Sequence, residues 1–151
     1  MKNLFLFFLL FSISNYNLYS QKRIIKGRVI SNQFDILVGI PIMINDTVQV
    51  GSSDLNGFFH IELPLSEKKI FIRYVGVDPV IIGIVENCDE VEIVMMLTGT
   101  GDYITPKRLD KLRKKRFKRL PKLHKKAFQK GLFKTDKACY TQKFISFCEK
   151  N

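Results

Sequence analysis

Few residues in this chain are of the types that bind metals or act as catalytic nucleophiles. The sequence of 151 residues has two histidines, His60 and His124, and neither has a neighbour at the short spacing that metal ligands need. Ser52 and Ser53 precede a turn and lack the strand–serine–helix setting of a hydrolase nucleophile. We therefore expect isolated surface histidines, no metal, no cofactor and no enzymatic activity.

One short motif, Asp54-Leu55-Asn56-Gly57, could be taken for a calcium-binding loop. An EF-hand loop requires oxygen ligands at positions 1, 3 and 5, glycine at position 6 and an acid at position 12. Counted from Asp54, Gly57 occupies position 4 and Leu65 position 12, so the calcium interpretation fails. Because Asp and Asn bond their own backbone and Gly accepts a positive φ, Asp54, Asn56 and Gly57 predict a structural turn.

A cluster of acids, Asp89, Glu90 and Glu92, is the remaining candidate for acid–base chemistry. These acids stand at the start of an apolar run that ends near Leu97. The pattern is typical of a strand whose polar residues face water. We expect the three acids to begin a strand and to stay solvated.

The three cysteines leave the disulfide pattern open. If residues 137–149 are helical, Cys139 and Cys148 are nine residues apart, roughly 13 Å along the helix axis. A disulfide needs Cα atoms within about 7 Å, so these two can pair only if the segment bends into a hairpin. Otherwise Cys88 can pair with Cys139 or with Cys148, which would join the C-terminal region to the body. Three unpaired cysteines are the remaining alternative, and at least one is unpaired in a monomer.

The formal charge of +11 is concentrated in the C-terminal third of the chain. Residues 22–98 hold 7 Lys and Arg against 10 Asp and Glu, whereas residues 99–151 hold 17 against 4. The chain is therefore a mildly acidic body of net charge −3 followed by a basic region of net charge +13. This asymmetry predicts a region that meets an anionic surface.

The first twenty residues have the layout of a secretory signal. A positive start at Lys2 precedes an apolar run from Leu4 to Phe11, and polar residues then lead to Ser20, a small residue suited to cleavage. The run is shorter than the roughly 20 apolar residues that span a bilayer. We predict a signal peptide at residues 1–20 and export of residues 21–151 to the periplasm, to the outer membrane or out of the cell.

From Arg23 to Leu97 the sequence alternates between short apolar runs and clusters of turn residues. Residues 58–63 alternate most clearly, with Phe59, Ile61 and Leu63 on one face. Seven short strands separated by turns are typical of an antiparallel sandwich. The predicted strands lie near residues 24–30, 38–44, 47–50, 58–63, 70–75, 80–85 and 91–97.

Four segments, in this order, resemble the carboxypeptidase regulatory-like domain, a transthyretin-like (prealbumin-like) β-sandwich. They are Ile25-Lys26-Gly27-Arg28-Val29-Ile30, Val38-Gly39-Ile40-Pro41-Ile42-Met43-Ile44, the run Gly51 to Ile61 with its Asp-x-x-Gly-x-Phe turn, and Ile70 to Gly76. The resemblance covers residues 23–97 and implies an all-β, seven-stranded antiparallel domain at residues 21–98. It also implies a non-catalytic module, since such domains occur in exported bacterial envelope proteins, and we expect a stand-alone form here.

The basic region, residues 99–151, is predicted to be a helical appendage. Thr105 before Pro106 fits the start of a helix. Pro121 either kinks this helix or starts a second one, which Gly131 ends. A third helix is predicted over Lys137 to Cys148, because its aromatic residues recur at helical spacing. Those residues are Tyr140, Phe144 and Phe147.

The basic region suggests a binding function. Basic helices with Leu and Phe on one side can contact an anionic membrane or lipopolysaccharide, or they can bind the phosphates of nucleic acid. Export argues against nucleic acid. A structural explanation is a solvated helix that packs its apolar stripe on the sandwich. The candidate polyanion-binding residues are Lys107, Arg108, Lys111, Arg113, Lys114, Lys115, Arg116, Lys118, Arg119, Lys122, Lys125 and Lys126.

We therefore expect a non-catalytic envelope protein that binds through its basic region to an anionic membrane surface or an envelope polyanion. The alternative is an accessory subunit that docks on another outer-membrane or periplasmic protein through the sandwich, with a tail that is only structural. The salt dependence of binding distinguishes the two hypotheses, because salt weakens polyanion binding steeply and affects apolar docking little.

Overall fold

The computed structural model describes residues 21–99 and 104–148, which are mostly β-structure with two helices. The predicted signal peptide and the segment 100–103 lie outside the described residues. The strands are β1 (Lys22–Ser31), β2 (Pro41–Ile44), β3 (Val48–Ser52), β4 (Phe58–Pro64), β5 (Lys69–Ile72), β6 (Val80–Gly83), β7 (Glu90–Met95) and β8 (Thr141–Phe144). The helices are α1 (Pro106–Phe117) and α2 (Leu120–Gln129).

Side-chain alternation builds a core between two sheets. A three-stranded sheet has the order β4-β1-β7, and a five-stranded sheet has the order β3-β2-β5-β6-β8. In β4, Phe59, Ile61 and Leu63 are buried while Phe58, His60 and Glu62 are exposed, as a two-residue period requires. These side chains belong to one apolar cluster with residues of both sheets, which gives a β-sandwich.

The sheets are not wholly antiparallel, which corrects the predicted antiparallel fold. Strand β1 pairs antiparallel with β4 but parallel with β7, where Lys26 lies opposite Glu90 and Ser31 opposite Met95. The alternation of side chains reports which face of a strand is buried and carries no information on a neighbour's direction. The sequence pattern therefore could not have revealed the parallel pair.

The segment after α2 is a strand, not the predicted third helix, and it raises the number of described strands from seven to eight. Thr141–Phe144 pairs antiparallel with β6 and completes the five-stranded sheet. The helical spacing of Tyr140, Phe144 and Phe147 misled the prediction. Tyr140 packs against the sandwich core, and the Phe144 ring meets the Phe117 ring edge-on at 5.6 Å.

The two helices cover a second apolar cluster on the outer side of the three-stranded sheet. Ile30, Val94 and Met96 point away from the sandwich core and are nevertheless buried. Leu120 and Ala127 of α2 and Phe133 after it pack against them. The outer face of this sheet therefore depends on the C-terminal region for its protection from water.

Candidate anion-binding surface on the helix pair

The local sequence explains where the two helices begin and end. Pro106 occupies the first position of α1, where its fixed φ suits the helix and its missing N–H would have had no partner. Pro121 lies in the first turn of α2, so it starts a second helix. Gly131 has a φ of +71° and closes α2, with Leu132 N–H donating to the Ala127 carbonyl.

Arg113 is buried on the inner face of α1, which corrects its assignment to the polyanion-binding surface. It is 1% exposed. Its Nε donates to Asp78 at 3.0 Å and its Nη1 to Asp110 at 2.7 Å. The guanidinium also donates to the Ile145 carbonyl and lies 3.7 Å from the centre of the Phe147 ring. Burial and two carboxylate partners give this cation a structural role.

Arg116 is also directed toward the sandwich. Its Nη2 lies 3.5 Å from Asp78, and its Nη1 donates to the Leu97 carbonyl at 3.0 Å. Asp78, in the loop between β5 and β6, therefore holds two arginines that are one helical turn apart. These contacts attach α1 to the end of the sandwich.

Asp110 joins α1 to the chain terminus. Its carboxylate accepts hydrogen bonds from the Ser146 hydroxyl and from the backbone N–H groups of Phe147 and Cys148, besides Arg113. Burial alone would raise its pKa. The hydrogen bonds from Ser146, Phe147, Cys148 and Arg113 outweigh burial and hold the pKa well below its usual range.

The outer face of the helix pair carries the other ten candidate cations, all exposed. We call these ten residues the outer basic face: Lys107, Arg108, Lys111, Lys114, Lys115, Lys118, Arg119, Lys122, Lys125 and Lys126. Asp110 is the only acid between residues 104 and 130, and it is buried. Within the described part of the chain, none of the ten forms a salt bridge.

Apolar side chains interrupt the outer basic face. Leu112 is 44% exposed and lines a shallow open groove together with Arg108, Lys111, Lys115 and neighbouring lysines. Phe128 of α2 is 41% exposed. Cations beside exposed apolar groups suit a surface that presents both phosphates and acyl chains.

Glu92 is buried, which corrects the expectation that the acidic cluster stays solvated. Its carboxylate accepts hydrogen bonds from the backbone N–H groups of Lys134 and Thr135 and from the Thr135 hydroxyl. Glu90 is exposed and pairs with the Lys134 ammonium, and Asp89 is exposed. No local pattern indicates this arrangement, because the partners lie more than forty residues away along the chain.

His124 is buried, which corrects the expectation of a surface histidine in a lysine run. It is 4% exposed, and its ring lies 4.8 Å from the Phe133 ring. Burial lowers its pKa, and the charges of Glu92 and Asp136 and the nearby carbonyls of Thr135 and Glu92 oppose that shift only in part. Its place on the inner side of α2, three residues before Ala127, was the signal that could have indicated burial.

His60 and the Asp54 turn are surface features of the sandwich. His60 is exposed on β4. The Asp54 carboxylate accepts from the backbone N–H groups of Asn56 and Phe58, and Gly57 has a φ of +76°. The three predicted turn residues thus hold one another in a tight turn.

A disulfide joins the C-terminal region to the sandwich. It links Cys88, in the loop before β7, to Cys139, with Cα atoms 5.7 Å apart. This is one of the pairings that the sequence left open. Cys148 is exposed, and its backbone N–H donates to Asp110.

Among residues 21–99 and 104–148, no group of three or more His, Cys, Asp or Glu side chains is placed to hold a metal ion. In the same ranges, no helix has the length and hydropathy needed to cross a membrane.

Comparison with known proteins gives one match. No protein-family model and no curated protein matches the chain. Among solved structures, the chain is similar to the C-terminal domain of the PapC usher, with 10% identity and a TM-score of 0.36. The match covers 51% of this chain and 100% of that domain. A similarity at this level transfers neither fold nor function to this chain.

Proposed function

We propose that this chain is an exported, non-catalytic binding module whose outer basic face attaches it to an anionic membrane surface or an envelope polyanion such as lipopolysaccharide. One observation carries the proposal: the outer basic face has ten exposed cations and no acid. The fold uses Arg113 and Arg116 for its own ion pairs and leaves the ten without carboxylate partners within the described residues.

Several of the ten cations repel one another. Like charges three and four residues apart repel on a helix surface, and Lys111, Lys114, Lys115 and Lys118 are such neighbours. An anionic surface attracts the same cations, and each basic residue near the membrane contributes about 1 kcal/mol to binding. The acidic sandwich, with net charge −3 over residues 22–98, would then point away from the surface.

The proposal includes a family and a location. The four ordered segments and the turn at Asp54 support a carboxypeptidase regulatory-like domain at residues 21–98. The layout of residues 1–20 supports export to the periplasm or outer membrane. Both assignments agree with a protein that works by contact and not by catalysis.

The test is sedimentation with phosphatidylcholine vesicles, with and without phosphatidylglycerol, across a salt series. The binding variant carries Lys111→Gln, Lys114→Gln, Lys115→Gln and Lys118→Gln, and the matched control carries Lys22→Gln, Lys26→Gln, Lys68→Gln and Lys69→Gln. Both remove four exposed cations. Truncation at Thr98 is unsuitable because it would remove β8 and uncover Ile30, Val94 and Met96.

We expect the natural protein and the control to bind anionic vesicles and to be released by salt. The α1 variant should bind about a thousandfold more weakly, because it loses four contributions of about 1 kcal/mol each and every 1.4 kcal/mol is a factor of ten. If the two variants bind equally, or if salt has no effect, the outer basic face is not the attachment site.

The second candidate is docking on another envelope protein through the sandwich. It is supported by exposed apolar side chains in two loops, Leu55 at 81% and Val75 at 90% exposure. Cross-linking in outer-membrane extracts, compared between the natural protein and a Leu55→Ser/Val75→Ser variant, tests it. A salt-resistant cross-linked product that the variant loses would favour this candidate.

A further inference from the structure

The groove on α1 brings five cations of the outer basic face together around one apolar side chain. The residues that line it are Arg108, Lys111, Leu112, Lys114, Lys115 and Lys118. At a rise of 1.5 Å per residue, the ten steps from Arg108 to Lys118 cover about 15 Å of helix. All six side chains are exposed. The groove therefore presents a short, dense array of ammonium and guanidinium groups to the solvent.

No acid balances the charge of this groove. Asp110 is the only acid between residues 104 and 130. It is buried, and its carboxylate is occupied by Arg113 and by donors in residues 146–148. Within the described part of the chain, none of the five groove cations forms a salt bridge. Their mutual repulsion at spacings of three and four residues is relieved only by an anion from outside.

The density of cations favours an anion that concentrates its charge. A phosphodiester headgroup carries one negative charge, whereas a phosphate monoester carries about −1.5 to −2 at pH 7 and has three acceptor oxygens. A monoester can therefore interact with two or three groove cations at once. The guanidinium of Arg108 offers a planar pair of donors that matches two phosphate oxygens, and the lysines add point charges.

The apolar side chain in the groove indicates that the phosphate belongs to a lipid. Leu112 is 44% exposed and lies one helical turn from both Arg108 and Lys115. A soluble phosphate has no apolar group to cover this side chain. A lipid in a bilayer presents acyl chains directly beneath its headgroup, so one surface satisfies the cations and Leu112 together.

We propose that this groove binds lipids whose headgroup is a phosphate monoester in preference to singly charged lipids. The inference rests on the proposed function, because it names the lipid that the outer basic face recognises. The five groove cations would contact the phosphate oxygens, and Leu112 would contact the region where the headgroup meets the acyl chains.

The test compares two vesicle preparations of equal surface potential. One contains phosphatidic acid, a monoester, in phosphatidylcholine, and the other contains enough phosphatidylglycerol, a diester, to give the same measured zeta potential. The protein should bind the phosphatidic acid vesicles at least about tenfold more tightly, the factor expected for one additional charge-assisted hydrogen bond. Equal binding would overturn this inference and leave the proposed function standing. Binding to neither preparation would overturn both.

Two matched variants locate the preference on the helix pair. Lys111→Gln/Lys115→Gln removes two groove cations four residues apart, and Lys122→Gln/Lys126→Gln removes two with the same spacing on α2, outside the groove. All four positions are exposed, so both variants should fold. The groove variant should lose the preference for phosphatidic acid, whereas the α2 variant should bind both vesicles more weakly and keep the preference. An equal effect of the two variants on the preference would contradict the proposed location.

The charge of the ligand provides an independent measurement. The second pKa of a phosphate monoester is about 6, so the headgroup loses most of its second charge when the pH is lowered from about 7.5 to about 5. The ratio of the two affinities should then approach one. A preference that persists at the lower pH would show that the groove does not recognise the second charge.

A soluble competitor distinguishes a lipid from a free phosphate. An excess of glycerol 3-phosphate should release no more protein from phosphatidic acid vesicles than sodium chloride of the same ionic strength, because it has no acyl chains to contact Leu112. Specific release by glycerol 3-phosphate would identify a soluble phosphate as the ligand and overturn the assignment to a lipid.

Discussion

Three buried charged side chains, Asp78, Asp110 and Arg113, connect α1 to the sandwich and to the chain terminus. Moving such groups out of water costs several kcal/mol each, and hydrogen bonds to their remaining polar atoms offset part of that cost. Here Asp110 receives three further donors from residues 146–148. The cluster therefore fixes the position of α1 and of the terminal segment together.

We predict that Asp110→Asn destabilises the protein by about 2–4 kcal/mol, because it weakens these hydrogen bonds and leaves Arg113 with one carboxylate. The folded-state pKa of Asp110 is lowered, so its contribution is complete above the unfolded pKa of about 3.9 and is lost as pH falls below it. Urea unfolding between about pH 2 and pH 6 measures both effects. The variant should lose less stability on acidification than the natural protein.

Asp89→Asn provides the control for this measurement, because Asp89 is exposed. It should change stability by less than about 0.5 kcal/mol and keep the natural acid dependence. Equal acid dependence in the Asp110 variant and the natural protein would show that the carboxylate of Asp110 is not held in its ionised form by the fold.

His124 gives a second pH dependence, near neutrality. Because burial lowers its folded-state pKa, the unfolded chain takes up the proton first, and stability falls as pH decreases below about 6.5. His124→Phe should remove this slope in unfolding experiments between about pH 5 and pH 7. His60→Gln, at the only other histidine, should leave the slope in place.

At the level of elements, the close approach of β1 to its neighbours depends on Gly27. A Cβ atom at this position would lie 2.0 Å from the Val91 carbonyl oxygen and 2.4 Å from the Phe59 ring. Gly27→Ala should therefore cost about 3 kcal/mol in unfolding experiments, since the backbone of β7 cannot yield as a flexible side chain would. Lys26→Ala, at the exposed adjacent position, should cost less than about 0.5 kcal/mol.

The elements that the sequence predicts well are those with a strong local signal. The alternation in β4, the turn at Asp54 and the proline and glycine that bound the helices all depend on near neighbours. Strand β8 has only four residues, and its pairing with β6 joins segments about sixty residues apart. The spacing of its aromatic residues favours a helix, but the segment forms a strand because it pairs with the edge of β6.

The candidate site, too, could be predicted only where the signal is local. Exposure of most of the basic residues on α1 and α2 could be expected from charge alone. The burial of Arg113 could not, because it requires Asp78 from a distant loop as well as Asp110 one turn earlier. Glu92 is buried because the chain after α2 returns across β7. These are long-range contacts, which residue type and spacing do not encode.

At the scale of the whole molecule, the disulfide between Cys88 and Cys139 closes a loop of 51 residues that contains both helices. By the chain-entropy estimate, a loop of this length contributes about 4 kcal/mol to stability. Cys139→Ser should lower the unfolding free energy by about that amount and speed amide exchange in β8. Cys148→Ser should do neither, and a similar loss in both variants would contradict the pairing.

The position of β8 after both helices also sets an order of events during synthesis. Strand β8, Cys139 and three of the donors to Asp110 lie in residues 139–148. The edge of β6 and the acid at the centre of α1 therefore stay incomplete until residues 139–148 have left the ribosome. For a chain that crosses a membrane before it folds, as proposed here, this delay keeps the preceding residues free to be threaded, and residues 139–148 complete the fold when they arrive.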